Sequence, residues 1–407
     1  MEQRRKMLQK LRKYSVWGLW ALTAAYGLFC VYLFYMQSVQ PLDYNNRYFQ
    51  SDLPYHISMV IDDGWYYSFT AYLYRLLYFL GGGSTVLIAA VLAVAAAGCV
   101  VLTERLLRKL LKSQETTVVT LLGALTLNFV MPFFFRPAGM YRYVSYQAGN
   151  IWHNSTYQFM KPAALAAILL YIGIEEHYRE KISGKRWLLF AGTLVLTTGI
   201  KPSFLTVFAP ALALKLLWDL FHKVSFKQIF LLGSTVLPAC LVVLWQNGVL
   251  FGADTGNGIT FSPWYSFSLH ADRPKLAVLC SLAFPLVVLF FSFMELWKDK
   301  VYFFAWLMTG IGFLEALCLV ETGTRSRDGN FLWGYSFALC LIYTISFEKW
   351  VEYIKRVNDA RNRDLKGPGA LYAAAFLLAG AVLGYQLFCG LIFFVRLLQG
   401  ETYFMIG

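Results

Sequence analysis

The sequence predicts an all-α polytopic membrane protein, a single domain over 1–407 with about 11 transmembrane helices. Three observations predict it. Only 14% of residues are charged and 58% are hydrophobic, against about 25% charged in soluble domains. Apolar stretches recur along the whole chain, most of them near the ~20 residues that cross a bilayer core. Lysine and arginine gather in alternate loops, as the positive-inside rule requires.

In order, the apolar stretches are 15–37, 84–104, 117–135, 159–174, 187–200, 202–220, 228–248, 274–295, 301–320, 331–348 and 369–396. The pair 187–200 and 202–220 reads as a helical hairpin. Its tip is Lys201-Pro202-Ser203, because proline breaks helices and a charge prefers the interface. Arg4, Arg5, Lys6, Lys10, Arg12 and Lys13 put the N-terminus inside, and eleven passes then put the C-terminus outside. On that topology 25 of the 36 Lys and Arg lie on the inner side. The net charge of +13 is thereby a matter of topology and anionic lipid, not of nucleic acid. The seven cysteines fall inside apolar stretches without metal-ligand spacing and read as small core residues. The first stretch is too long for a cleaved signal peptide. Gly81-Gly82-Gly83 lacks the Lys-Ser/Thr of a phosphate-binding loop and reads as a joint before the second span.

Unusual polar residues gather in the loops assigned to the outer side. The first outer loop, 38–83, is the longest, and juxtamembrane helices are expected in it. Tyr66, Phe69, Tyr72, Leu73, Leu76, Leu77 and Leu80 recur at helical spacing, the pattern of an amphipathic helix lying in the interface. In Ser51-Asp52-Leu53-Pro54-Tyr55-His56, an Asp before Leu-Pro fits a helix N-cap. The functional reading is that Asp52, with the imidazole of His56 one turn on, removes a proton from an acceptor. Asp62 and Asp63 read as solvated or capping residues, or, with Asp52, as ligands of a divalent cation.

The second cluster runs from Asn150 through Trp152, His153, Asn154, Ser155, Thr156 and Tyr157 to Lys161. His153 and Asn154 either cap the next helix or bind substrate. Lys161, just inside the span, calls for an anion such as phosphate near the helix start. The third cluster, Glu321 to Phe331, carries Arg325 and Arg327. These are either a two-pronged phosphate site or a pair neutralised by Glu321 and Asp328. Glu315, roughly 7 Å inside its span at 1.5 Å per residue, looks for a partner such as Lys161 or Lys201.

With these residues in place, the chain resembles the GT-C superfamily of membrane glycosyltransferases. An inside N-terminus, one span and an outer loop with an acidic residue and juxtamembrane helices are shared features. Ser51-Asp52-Leu53-Pro54-Tyr55-His56 is similar to the segment carrying that superfamily's essential acid. Trp152-His153-Asn154-Ser155-Thr156 and Asp328-Gly329-Asn330-Phe331-Leu332-Trp333-Gly334 resemble stretches in uncharacterised bacterial polytopic proteins of this layout. The chain lacks an acidic pair at the usual protein-mannosyltransferase position, and no large outer domain is expected after the last span.

The resemblance implies inverting transfer of a sugar from a polyprenyl-phosphate donor to a glycan, lipid or protein acceptor, as in cell-envelope polysaccharide synthesis. It implies Asp52 as base, with Arg325, Arg327, Lys161 or Lys201 stabilising the phosphate leaving group. It further implies a plasma-membrane location with the active face outside. A transporter or flippase of lipid-linked saccharides would use similar outer groups, but would also need a polar path inward. A polymerase of lipid-linked saccharides would share the donor chemistry.

Overall fold

The structure, a computed structural model, describes residues 2–43, 45–252, 256–362 and 366–407. In chain order its helices are α1 (Glu2–Ser38), α2 (Leu53–Ile61), α3 (Phe69–Leu80), α4 (Val86–Leu110), α5 (Val118–Phe129), α6 (Ser155–Glu175), α7 (Gly184–Ile200) and α8 (Ser203–Phe221). There follow α9 (Phe226–Gly233), α10 (Leu237–Leu250), α11 (Tyr265–Ser268), α12 (Pro274–Ser281), α13 (Ala283–Leu296), α14 (Lys300–Cys318), α15 (Leu332–Asn362) and α16 (Lys366–Leu398). Two three-residue strands, β1 (Ile259–Phe261) and β2 (Leu319–Glu321), pair antiparallel.

Among the described residues, seven segments are helical, long and apolar enough to cross a membrane: Lys10–Ser38, Val86–Leu110, Ser155–Glu175, Ser203–Phe221, Phe226–Leu250, Lys300–Cys318 and Gly369–Leu398. They become eight if α12 and α13, bent by 66° at Leu282, count as one span. The chain is therefore an all-α polytopic membrane protein. The remaining apolar stretches of the sequence also fold as helices, but as α5, α7 and α15.

These three differ from ordinary spans for physical reasons. α15 is buried at every position from Trp333 to Lys349. A helix enclosed by protein needs no lipid-compatible surface, so it carries Tyr335, Ser336, Tyr343, Thr344 and Ser346, all buried. α7 has 17 residues and leads through Lys201-Pro202 directly into α8, the break falling where the sequence places it. α5 has only 12 residues, and its exposed carbonyls must be satisfied without water. Asn150 Nδ2 donates to both Leu127 O and Val130 O at 2.8 Å. α16 then closes on this end so tightly that a Cβ on Gly390 would sit 1.7 Å from Phe129 O.

The break between α12 and α13 is treated in the same way. Tyr343 of α15 donates its hydroxyl to Ser281 O at 2.7 Å, and Gln386 of α16 donates to that hydroxyl at 2.6 Å.

Polar contacts collect at the two ends of the bundle. At one end basic residues meet acids: Lys109–Glu176 at 2.9 Å, Lys215–Asp219 at 2.7 Å, Arg179–Asp219 at 3.0 Å and Lys349–Asp299 at 2.6 Å. Lys215 also bonds Glu175. The other end holds the loops singled out in the sequence. There Phe49 N donates to Gly400 O, Asp52 N to His153 O, and Thr322 N to Gly258 O.

α3 lies where the amphipathic pattern places a juxtamembrane helix, but its faces differ from the predicted stripe. Thr70, Ala71, Tyr74 and Leu77 are buried, while Tyr72, Leu76, Phe79 and Leu80 are exposed. The helix is apolar on two sides, one packed on protein and one free. Phe69 at its start lies against Gly199 of α7, where a Cβ would come within 2.2 Å of the ring. The glycine triplet after α3 forms a tight turn, with φ of 61° at Gly82 and 88° at Gly83.

Candidate functional site

The site is built where the first loop meets the start of α6. Phe49 adopts a left-handed backbone, φ 46°, an uncommon state for a bulky residue. It is held there by its bond to Gly400 O, and it turns the chain toward α6. Asp52 N then donates to His153 O at 2.9 Å. Pro54 begins α2 with its φ already helical, and Leu53 N is met by Ser51 Oγ at 3.3 Å.

Asp52 occupies the N-cap position of α2, yet its carboxylate does not cap that helix. Asn154 Nδ2 donates to Asp52 Oδ2 at 2.6 Å instead. Asn154 does cap α6: its Oδ1 accepts from Tyr157 N at 2.9 Å and Thr156 Oγ1 at 2.8 Å. One asparagine thus starts α6 and holds the carboxylate. Lys201 comes from the α7–α8 turn and donates to Thr156 Oγ1 at 3.0 Å, with its ammonium 5.1 Å from the centre of the Trp333 ring. Trp333 Nε1 donates to Asn330 Oδ1 at 3.2 Å, and Asn330 Nδ2 to Glu321 Oε2 at 2.6 Å. Glu321 in turn holds Arg325 at 3.1 Å. A chain of polar and cation–π contacts therefore joins all three clusters read from the sequence.

The electrostatics follow from partial burial beside cations. Burial raises the Asp52 carboxyl to about 6, against the opposing pull of the Asn154 bond and the Lys201 charge. Burial lowers the Lys201 ammonium to about 8, although the Asp52 charge resists this. His56 and His153 are each pushed down to about 3, first by burial and then by the Lys201 charge. At neutral pH the site holds a carboxylate, an ammonium and two neutral imidazoles. Asp52 forms no ion pair among the described residues, and its Oδ1 has no hydrogen-bond partner there.

Other expectations need correction. His56 does not join Asp52 side chain to side chain, since its Nδ1 lies 2.8 Å from Ser155 Oγ. The His153 ring is 5% exposed and stacks on Tyr403 at 4.0 Å, so its contribution to the site is its backbone carbonyl. Lys161 is buried elsewhere, its ammonium held by Asn150 Oδ1 at 2.6 Å and Asn128 Oδ1 at 3.3 Å. Those amides, which also bind the α5 carbonyls, take the place of the expected anion.

Arg325 is paired with Glu321 and, at 3.9 Å, with Asp328. Arg327 is exposed and forms no ion pair among the described residues, so the two arginines do not act as one fork. Glu315 accepts from Thr206 Oγ1 at 2.8 Å, with neither Lys161 nor Lys201 as partner. Asp62 and Asp63 are exposed at the far end of α2 from Asp52. No group of three or more His, Cys, Asp or Glu among the described residues is placed to hold a metal ion.

No protein-family profile, curated protein or solved structure matches the chain. The site therefore has to be read from its own chemistry.

Sequence reasoning missed Tyr74, Ser155 and Trp333 as site residues, together with Tyr67, whose half-buried hydroxyl feels the charges of Arg325, Asp328 and Asp52. Ser155 and Trp333 lay inside segments already singled out. Tyr74 was hidden in the amphipathic stretch, where a tyrosine on a buried face looks like packing. Together the groups offer a proton acceptor at Asp52 with a cation, Lys201, close enough to act on it.

Proposed function

We propose that the protein is an inverting glycosyltransferase of GT-C type, which moves a sugar from a polyprenyl-phosphate donor to an acceptor at the outer face of the membrane. The observation that carries this reading is Asp52. It is half-buried, fixed through one oxygen by Asn154, and, among the described residues, free of any ion pair and of a hydrogen-bond partner at the other oxygen. Burial brings it to about 6, close to the range where a general base works at neutral pH.

In the reaction an acceptor hydroxyl attacks the anomeric carbon as Asp52 takes its proton. The bond from that carbon to the phosphate oxygen breaks, and the electron pair leaves with polyprenyl phosphate. Lys201, and Arg325 at the rim, stabilise the charge that grows on the leaving phosphate. Inversion follows from a single displacement. The other carboxylates of the network are engaged, Glu321 by Arg325 and Asn330 and Asp328 by Arg325, and are unsuited to act as a nucleophile.

Eleven passes with the N-terminus in the cytoplasm fit this reading. The basic, acid-paired end opposite the site supports that orientation. The exposed apolar residues of α3 support lateral entry of the polyprenyl tail.

The test is transfer of label from a panel of polyprenyl-phosphate sugars by the purified protein in liposomes with native membrane extract as acceptor. Label in a lipid-free or lipid-linked product supports the reading. No transfer from any donor by folded protein sinks it.

A further inference from the structure

Hydrogen-bond accounting around His56 fixes which ring nitrogen carries the proton. Tyr74 donates its hydroxyl to Ser155 Oγ at 2.5 Å, and Ser155 Oγ lies 2.8 Å from His56 Nδ1. Tyr74 and Ser155 are 1% and 3% exposed, so water does not complete either hydroxyl. A serine hydroxyl has one proton. With Tyr74 donating into Ser155, that proton needs its own acceptor, and His56 Nδ1 is the one present among the described residues. Nδ1 therefore accepts, and a neutral ring must carry its proton at Nε2.

The ring is also kept neutral. Burial and the charges of Lys201 and Arg325 oppose a second proton. Nε2 has no partner among the described residues, and His56 is half-buried on the face of α2 one turn from Asp52. His56 is fixed on Ser155 and Asp52 on the adjacent Asn154, so the Nε2–H is left for a ligand beside the carboxylate, within reach of the Lys201 and Arg325 charges. A charged phosphate oxygen accepts such a bond more strongly than a neutral hydroxyl does, and the Lys201 ammonium nearby offsets its charge.

We propose that His56 is a substrate-binding hydrogen-bond donor and not a base: the Tyr74–Ser155 relay locks its neutral Nε2–H tautomer, and Nε2–H bonds a phosphate oxygen of the lipid donor. The identity of the donor rests on the glycosyltransferase reading; the tautomer does not. Tyr74 and Ser155 are positioning residues that act through His56.

The test uses the full-length protein labelled with 15N-histidine in nanodiscs, with the His56 signals assigned as those lost in His56→Gln. The expected spectrum has the proton on Nε2 and a bare Nδ1, unchanged from about pH 5 to 8. In Ser155→Ala or Tyr74→Phe, both tautomers should appear. A wild-type Nδ1–H form, or a ring that titrates in that range, overturns the proposal. Adding polyprenyl phosphate should shift the Nε2–H signal, while uncharged polyprenol should not. No shift, or equal shifts with both, overturns the phosphate assignment.

These arms need no turnover, so they decide the proposal even if the protein transfers no sugar. With turnover, His56→Gln, which keeps an N–H donor, should stay within about tenfold of wild type. His56→Ala should lose about ten- to a hundredfold, the effect expected when a hydrogen bond to a charged group is removed. Equal losses in the two variants contradict a donor role.

Discussion

Asp52→Asn should abolish transfer and stabilise the protein at once, and the pairing of these effects is the sharpest test of Asp52 as a base. Burial raises the carboxyl from an ordinary 3.8 to about 6. At 1.36 kcal/mol per pH unit, that rise corresponds to at most roughly 3 kcal/mol. The sign follows from linkage: between about pH 4 and 6 the folded state binds the proton more tightly than the unfolded chain. Stability contributed by the protonated acid is complete below pH 4 and lost once pH passes about 6. Asparagine carries no such cost, and its Oδ1 still accepts the bond from Asn154. The variant should therefore be more stable than wild type at pH 7.5, and its stability relative to wild type should rise between pH 4 and 6. Removing a general base costs about 10²- to 10⁴-fold in rate. Thermal unfolding in nanodiscs from pH 4 to 8 and label transfer from polyprenyl-phosphate sugar measure the two effects. A variant that transfers at the wild-type rate refutes the base. A variant less stable than wild type at pH 7.5 refutes the electrostatic argument, whatever its activity.

For the wild-type enzyme, kcat/KM should rise to a plateau above about pH 6 as Asp52 loses its proton, and fall above about pH 8 as Lys201 loses its own. Lys201→Arg, whose cation persists to high pH, should remove the alkaline fall, which a pH–rate series would record. Lys201→Met should slow transfer by about 10²-fold or more, the scale of losing one group that stabilises transition-state charge. Arg327→Ala should leave unfolding within about 0.5 kcal/mol of wild type, because the side chain is exposed and forms no ion pair among the described residues, and transfer rates should be near normal. Gly390→Ala should destabilise by about 1–3 kcal/mol or more, since its Cβ would clash with Phe129 O at 1.7 Å; a chemical denaturation series would measure it.

The architecture was readable because a membrane limits where irregular backbone can go. Polar residues that make no helix pattern were forced to the loops, and their grouping there marked the site. What the sequence could not disclose were partners set by contacts across the chain. Asp52 and Asn154 are 102 residues apart, and His56 and Ser155 are 99 apart. Asn154 reads as a cap and is one, but its amide has two ends, and the second holds the carboxylate. Depth alone misled for Lys161: a charge within a span does require compensation, yet dipoles from Asn128 and Asn150 supply it as well as an anion would. The Glu321–Arg325 pair, four residues apart, was legible as a local neutralisation, and the structure adds that Glu321 also receives Asn330.

The same asymmetry explains α15. Its tyrosines, serines and threonines weaken a hydropathy signal, and only the packed bundle reveals that no lipid touches Trp333 to Lys349. Enclosure has a consequence for the site. Trp333 sits at the start of this enclosed helix and receives Lys201 on its ring, while Asn154 sits at the start of α6, also largely buried. The carboxylate, carried at the start of α2, and the cation, carried in the α7–α8 turn, are thus each braced against the start of an enclosed helix, whereas Arg325 is held by Glu321 and Asp328 of its own loop. A base must hold its geometry to within a fraction of an ångström through each turnover, and a rim cation need only meet a phosphate when it arrives.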